Sequence, residues 1–217
     1  SMLFTGCSKK AESKVPDKLI VGTNAEFPPF EYMNDKKQPE GFDIAMIKEI
    51  GKRMGKKVEI KNMEFKSLIG AMESDSINAI IAGMTKTEKR EKAVDFSDSY
   101  YTTNQAIILK KDSKITKLAQ LDGKKIGVQE GTTGDLISSG DKFGDGKKAK
   151  VLVKGAKVKR FKKGVDAVMD LKNGSVDAVV IDELTANEFV KKNAKKLKIV
   201  IDSAGSEYYC IALTKGN

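Results

Sequence analysis

The chain has 217 residues, of which 40% are hydrophobic and 6% aromatic, an ordinary globular composition with enough core for one large or two small domains. It holds no histidine and two cysteines, Cys7 and Cys210, which excludes histidine-based triads and the common zinc sites, so no metal or cofactor is expected. Lys+Arg number 40 against 30 Asp+Glu, a formal charge of +10, but the lysines fall in scattered pairs such as Lys56-Lys57, Lys124-Lys125 and Lys195-Lys196 with no interleaved aromatics, a solvated surface rather than a nucleic-acid footprint.

At the start, Leu3-Phe4-Thr5-Gly6-Cys7-Ser8-Lys9-Lys10 resembles the end of a bacterial lipoprotein signal, whose cleavage leaves a lipidated cysteine at the new N-terminus. Phe4 stands where an aliphatic residue is usual. Residues 1–17 are expected to be a leader and tether, with Cys7 as the lipidation site. No stretch approaches the roughly 20 apolar residues that cross a bilayer. A short strand follows at Leu19-Ile20-Val21-Gly22, then a helix from Gly41 to Met54, where Ile44, Ile47, Ile50 and Met54 recur at helical spacing. Val58-Glu59-Ile60 is a strand; Leu68, Ile69 and Met72 mark a short helix. Asn78 to Gly83 is a strand, a helix begins at Thr87, and Gln105 to Leu109 is again a strand. Strand–helix–strand order predicts a mostly parallel sheet flanked by helices.

After Lys110-Lys111-Asp112 the pattern restarts. Gly123-Lys124-Lys125-Ile126-Gly127-Val128 mirrors Gly55-Lys56-Lys57-Val58-Glu59-Ile60, and Ser175 to Asp182 echoes Ser76 to Gly83. A helix begins near Thr132-Thr133, Val158 to Phe161 is a strand, Gly164 to Lys172 a helix and Val176 to Ile181 a strand. The repeat predicts an α/β protein of two Rossmann-like lobes. The strand from Glu207 to Leu213 is long enough to return to the first lobe, and Cys210 within it reads as a small buried hydrophobe. The expected division is 18–108 with 206–217 as the first lobe and 109–205 as the second.

In open parallel sheets, ligands bind beyond the carboxyl ends of the strands. That rule selects four loops: Thr23 to Phe30, Ala82-Gly83-Met84-Thr85, Gln129 to Thr133, and Asp182 onward. Gly83 lets backbone approach a ligand, Thr85 offers a hydroxyl and an amide, and Arg90 offers a fork for a carboxylate. Thr132 and Thr133 head a helix whose free amides favour an anion, and Asp182 suits an ammonium. Taken singly, Arg90 is equally a surface arginine, Thr85 a capping residue with Glu88, and Asp182 a helix cap. Taken together they complement an α-amino acid zwitterion.

The runs Gly22-Thr23-Asn24-Ala25-Glu26-Phe27-Pro28-Pro29-Phe30-Glu31-Tyr32, Gly41-Phe42-Asp43-Ile44, Ala82-Gly83-Met84-Thr85, Thr87-Glu88-Lys89-Arg90, Asp95-Phe96-Ser97, Gly131-Thr132-Thr133-Gly134-Asp135 and Val176-Asp177-Ala178 resemble the solute-binding proteins of ABC importers, in the family that takes up polar amino acids. The match runs in order from about Leu19 to Gly216. It implies two α/β lobes joined by two crossing strands, closing on the ligand, and a permease partner in the membrane. By the resemblance Arg90, Thr85, Gly83 and Thr133 hold the α-carboxylate. Asp182 and the Gly83 carbonyl hold the ammonium, and Phe27 and Phe65 flank the side chain. Ala82, Met84, Gln129, Gly131 and Thr132 complete the implied walls.

Many relatives carry Asp where this chain has Asn24, which weakens a claim for a basic ligand; Glu26, Glu31 and Gln129 remain in or near the same loops. The run from Ala25 to Glu31, with Gly131 to Asp135, most resembles arginine or basic-amino-acid binders, so arginine or lysine is expected, with glutamine next. Two rivals stay open. A cyclohexadienyl-dehydratase-like enzyme would need Glu26 or Glu31 as a buried acid, and a sensor domain would need an effector. Relatives continue past Lys215-Gly216-Asn217 into helices that pack on the first lobe. A monomer is expected, with self-association through that bared face the consequence if those helices are missing.

Overall fold

In the computed structural model, described over residues 15–140, 153–201 and 206–216, thirteen strands and six helices form two sheets and a small hairpin layer. Cys7 and residues 1–14 of the expected leader lie outside the described residues. In chain order the elements begin with β1 (Lys18–Thr23), β2 (Glu26–Phe27), β3 (Glu31–Met33), β4 (Pro39–Glu40), α1 (Phe42–Arg53) and β5 (Lys57–Asn62). Next come α2 (Leu68–Glu73), β6 (Ala79–Ile80), α3 (Glu88–Glu91), β7 (Val94–Thr103), β8 (Gln105–Lys110), β9 (Lys125–Gln129) and α4 (Thr133–Ser139). The remainder are β10 (Lys157–Phe161), α5 (Gly164–Lys172), β11 (Ala178–Asp182), α6 (Glu183–Lys191), β12 (Leu197–Ile201) and β13 (Glu207–Thr214).

The first sheet runs β5-β1-β6-β13-β7 and the second β10-β9-β11-β8-β12. Each has a parallel trio, β5-β1-β6 and β10-β9-β11, with antiparallel strands added on one side. The trios follow from the strand–helix–strand order, since parallel neighbours need a crossover between them. Helix α1 lays Ile47 over one face of the first sheet, against Leu19, Val21, Ala79 and Ile81. On the opposite face α2 lays Leu68 and Met72 against Ile77, Ile80 and Ala212. Truncating a side chain as enclosed as Leu68 to alanine costs about 2–5 kcal/mol.

Several elements differ from the sequence expectation, among them the strands of the β2–β3–β4 hairpin layer, which it does not include. The expected boundary at 108/109 cuts through β8, yet all pairings of that strand are to β11 and β12 in the second sheet. The chain therefore crosses at Asn104, between β7 and β8. Ala106, Ile107, Ile108 and Leu109 are buried on both faces, and a continuous apolar run carries no sign of which sheet it joins. The ten-residue β7 has no counterpart in the expected elements; its mixed run of Asp, Ser and Tyr is half exposed along one edge. Helix α6 and strand β12 follow Asp182, where the pattern marks only a loop.

Strand β13 pairs with β7 from Glu207↔Thr103 to Thr214↔Val94 and with β6 through Ala212↔Ile80. This return strand brings residues near the end of the chain to the mouth of both sheets. Cys210 is buried there, as expected.

Candidate functional site

The carboxyl ends of β1, β6, β9 and β11 face one another, and a cavity between them is lined by Asn24, Phe27, Phe65, Ala82, Gly83, Thr85, Arg90, Gln129, Thr132, Thr133 and Asp182. All eleven are among the residues that the sequence singles out. Nine come from the four loops, joined by Phe65 from the turn after β5 and Arg90 from α3, and the repeat of strand–helix units sets the two sheets facing one another.

Local rules position each of them. Gly83 has φ +51°, and a Cβ there would sit 3.0 Å from a Phe27 ring carbon, so only glycine lets Phe27 close over the backbone. Its N–H donates to Asp43 Oδ2 at 2.8 Å. Thr87 caps the short α3 by accepting from the Arg90 N–H at 3.1 Å, which settles the start of the helix and the direction of Arg90. The guanidinium is buried. It donates from Nη1 to the Thr85 carbonyl at 2.6 Å and from Nη2 to the Gly131 carbonyl at 3.0 Å, and lies 5.4 Å from the Phe65 ring centre. Burial pulls its pKa down to about 10 while Glu207 and Asp182 oppose the fall, so it stays a cation at neutral pH.

In the second lobe Thr132 caps α4, accepting from the Asp135 N–H at 3.3 Å and donating to the Gln129 carbonyl at 2.8 Å. Asp182, at the end of β11, accepts from Gln105 Nε2 at 2.7 Å and from the Tyr209 hydroxyl. Burial raises its pKa, while the Tyr209 and Gln105 bonds and the Arg90 charge hold it down. A cation and an anion thus stand on opposite lobes of a cavity walled by two phenylalanines. Gln129 Nε2 spans the cleft to Asn24 Oδ1 at 2.8 Å, and three exposed ion pairs ring its rim: Lys162 with Glu64, Lys66 with Glu130 and Lys163 with Glu26.

Four singled-out residues lie elsewhere. Glu26 is spent on Lys163 at 3.6 Å. Met84 turns into the core of the first lobe, and Gly131 contributes only the carbonyl that Arg90 reaches. Glu31 corrects the expectation of a charge reader. Strand β3 turns it inward, with no exposed surface, and pairs it with the buried Asp43 carboxyl. Burial first, then Asp43, drives its pKa well above the ordinary range.

Sequence reasoning misses Gln105, Glu207 and Tyr209, which bind the threonines and Asp182. The only cue is their place at the ends of apolar strands. Asp43 and Tyr100, which share the Gly83 anchor, are missed as well; Asp43 lies in view within Gly41-Phe42-Asp43-Ile44.

Two α/β lobes meeting on an enclosed, oppositely charged cavity have the build of a cleft-closing solute binder. Residues 19–208 match the model of the bacterial extracellular solute-binding proteins, family 3, and the chain belongs to that family. It is 36% identical over 204 residues to the arginine-binding extracellular protein ArtP of Bacillus subtilis, spanning 93% of this chain and 75% of that one. Among solved structures, an ancestral arginine-binding protein bound to arginine matches with a TM-score of 0.83 at 44% identity, over 93% of this chain and 86% of the other. An ancestral arginine-binding protein bound to glutamine matches with a TM-score of 0.83 at 43% identity, over the same shares.

Proposed function

We propose that this chain is the extracytoplasmic substrate-binding protein of an ABC transporter, capturing an L-amino acid between its lobes and delivering it to a membrane permease. The observation that carries the reading is the placement of Arg90 and Asp182 on facing lobes of one buried cavity. The α-carboxylate takes the remaining guanidinium N–H groups of Arg90, with Gly83, Thr85 and Thr133 beside it, because charge-assisted bonds inside a dry site are the strong ones. The ammonium takes Asp182 and the Gly83 carbonyl. The side chain lies between Phe27 and Phe65 and ends at Asn24 and Gln129.

Arginine or lysine is the favoured ligand and glutamine the next, in keeping with relatives named for arginine and a similar protein held with glutamine. Calorimetric titration against the twenty amino acids tests this; arginine binding no tighter than alanine would sink the assignment of a long polar side chain. The enzyme alternative needed an acid at Glu26 or Glu31, and neither lines the cavity. Lobe closure is part of the proposal: small-angle scattering should show a smaller radius of gyration with ligand, and identical profiles would remove it. Anchoring through Cys7 belongs to it too, and palmitate labelling in a bacterial host that fails on the native precursor would remove that element.

A further inference from the structure

Glu207 opens β13 opposite Thr103, where the chain passes between the two sheets. Its Oε2 lies 2.8 Å from Thr85 Oγ1 of the first lobe and 2.8 Å from Thr133 Oγ1 of the second. Gln105 Nε2 lies 3.2 Å from Oε1 and 3.3 Å from Oε2. A hydroxyl has a single proton to donate. While Glu207 is ionised, both threonine protons are committed to it, and neither can reach a carboxylate in the cavity. A protonated Glu207 is itself a donor and accepts one bond fewer, which releases a threonine hydroxyl.

We propose that Glu207 is a positioning residue of the amino-acid site: its carboxylate holds the hydroxyl protons of Thr85 and Thr133, one from each lobe, and takes up a proton when a hydroxyl turns to the ligand carboxylate. The inference rests on the reading of the cavity as an amino-acid site and adds a residue and a proton to it.

Among the described residues, the charged and titratable groups around Glu207 are few. Arg90 on α3 is the cation. Asp182 at the end of β11 is the anion and shares the Gln105 amide. Tyr209, on the same strand as Glu207, is occupied by Asp182; Thr85, Thr133 and Gln105 are neutral. Burial, followed by the Asp182 charge, lifts the Glu207 carboxyl to about 7, so a modest pH change alters its charge. The bonds from Thr133 and Thr85 hold it down, so a hydroxyl that turns from Glu207 to the ligand carboxylate raises it further. Binding then takes up protons, and affinity falls as pH rises through the ligand-free value.

The test is calorimetric titration of arginine into the full chain at pH 6, 7 and 8, in two buffers of different ionisation enthalpy. Wild type should take up a fraction of a proton near pH 7, and its affinity should weaken by up to about tenfold per pH unit between the ligand-free and ligand-bound pKa of Glu207. Glu207→Gln should take up none and give a flat profile. The Thr85→Val/Thr133→Val pair keeps the titrating carboxyl but removes the released donors, and should flatten the profile as well. A flat wild-type profile, a wild-type slope retained in Glu207→Gln (which would give the proton to Asp182), or a slope retained in the double valine variant each overturns the proposal. Binding without proton uptake overturns it alone and leaves the amino-acid reading standing; no amino acid bound at any pH removes both.

Discussion

Arg90 reaches from one lobe to the other: Nη2 donates to the Gly131 carbonyl at 3.0 Å while Nη1 holds the Thr85 carbonyl of its own lobe at 2.6 Å. The residue proposed to meet the ligand carboxylate is therefore also a clasp between the lobes. A bare methyl in its place leaves a carboxylate desolvated without its partner. Arg90→Ala is expected to weaken amino-acid binding by about 3 kcal/mol or more, since bonds to charged groups are worth roughly 1.5–3 kcal/mol each. Titration calorimetry checks this, and an unchanged affinity would remove the zwitterion assignment.

Asn24 offers a second test. Its Nδ2 donates to the Met63 carbonyl at 2.8 Å and its Oδ1 accepts from Gln129. Asn24→Asp places an anion at the side-chain end of the cavity but turns it against the Met63 carbonyl. The ratio of arginine to glutamine affinity is expected to rise about tenfold, the margin of a charge-assisted bond over a neutral one, while the melting temperature falls. Competition calorimetry and a thermal melt read the two effects separately. A ratio that stays put would place the ligand side chain away from Asn24.

Gly83→Ala should be costly on two counts. At φ +51° a side chain is strained by roughly 1–2 kcal/mol, and its Cβ would crowd Phe27 and, at 3.3 Å, Tyr209. Chemical denaturation should show a stability loss of about that size. Arginine binding should weaken as well, because Phe27 is pushed into the cavity. Wild-type affinity in the variant would mean that Phe27 is not a wall of the ligand site.

Glu31 and Asp43 predict how stability follows pH. Both carboxyls are buried and raised above their ordinary values. A group whose folded pKa is raised contributes stability in full below its unfolded value and loses it as pH rises toward the folded value. Stability should therefore fall as pH rises above the ordinary carboxylate range, by up to about 1.4 kcal/mol per pH unit for each carboxyl that stays protonated in the fold. Melting temperatures across that rise follow the loss. Glu31→Gln, which stays neutral, should flatten the fall and gain stability at pH 8. A variant as pH-sensitive as wild type would mean that Glu31 is ionised in the fold.

Sequence by itself determined the two-lobed plan and most of the cavity. The echo of Ser76–Gly83 in Ser175–Asp182 marks two equivalent strands, and ligands gather beyond such strand ends; Gly83, Arg90, Thr133 and Asp182 could be placed together for that local reason. Tertiary structure alone decided the rest. Glu31 and Glu26 sit near each other in the chain, yet the β2–β3 register pairs Glu31 with Phe27 and Glu26 with Tyr32, which sets one on the core side and the other at the rim, because successive strand residues face opposite ways and only the packed partner says which face is inside. Gln105 and Glu207 lie 102 residues apart and became part of the site only when β13 folded back beside β7. No local pattern records that meeting, since a hydrogen bond between distant strands depends on sheet order and register.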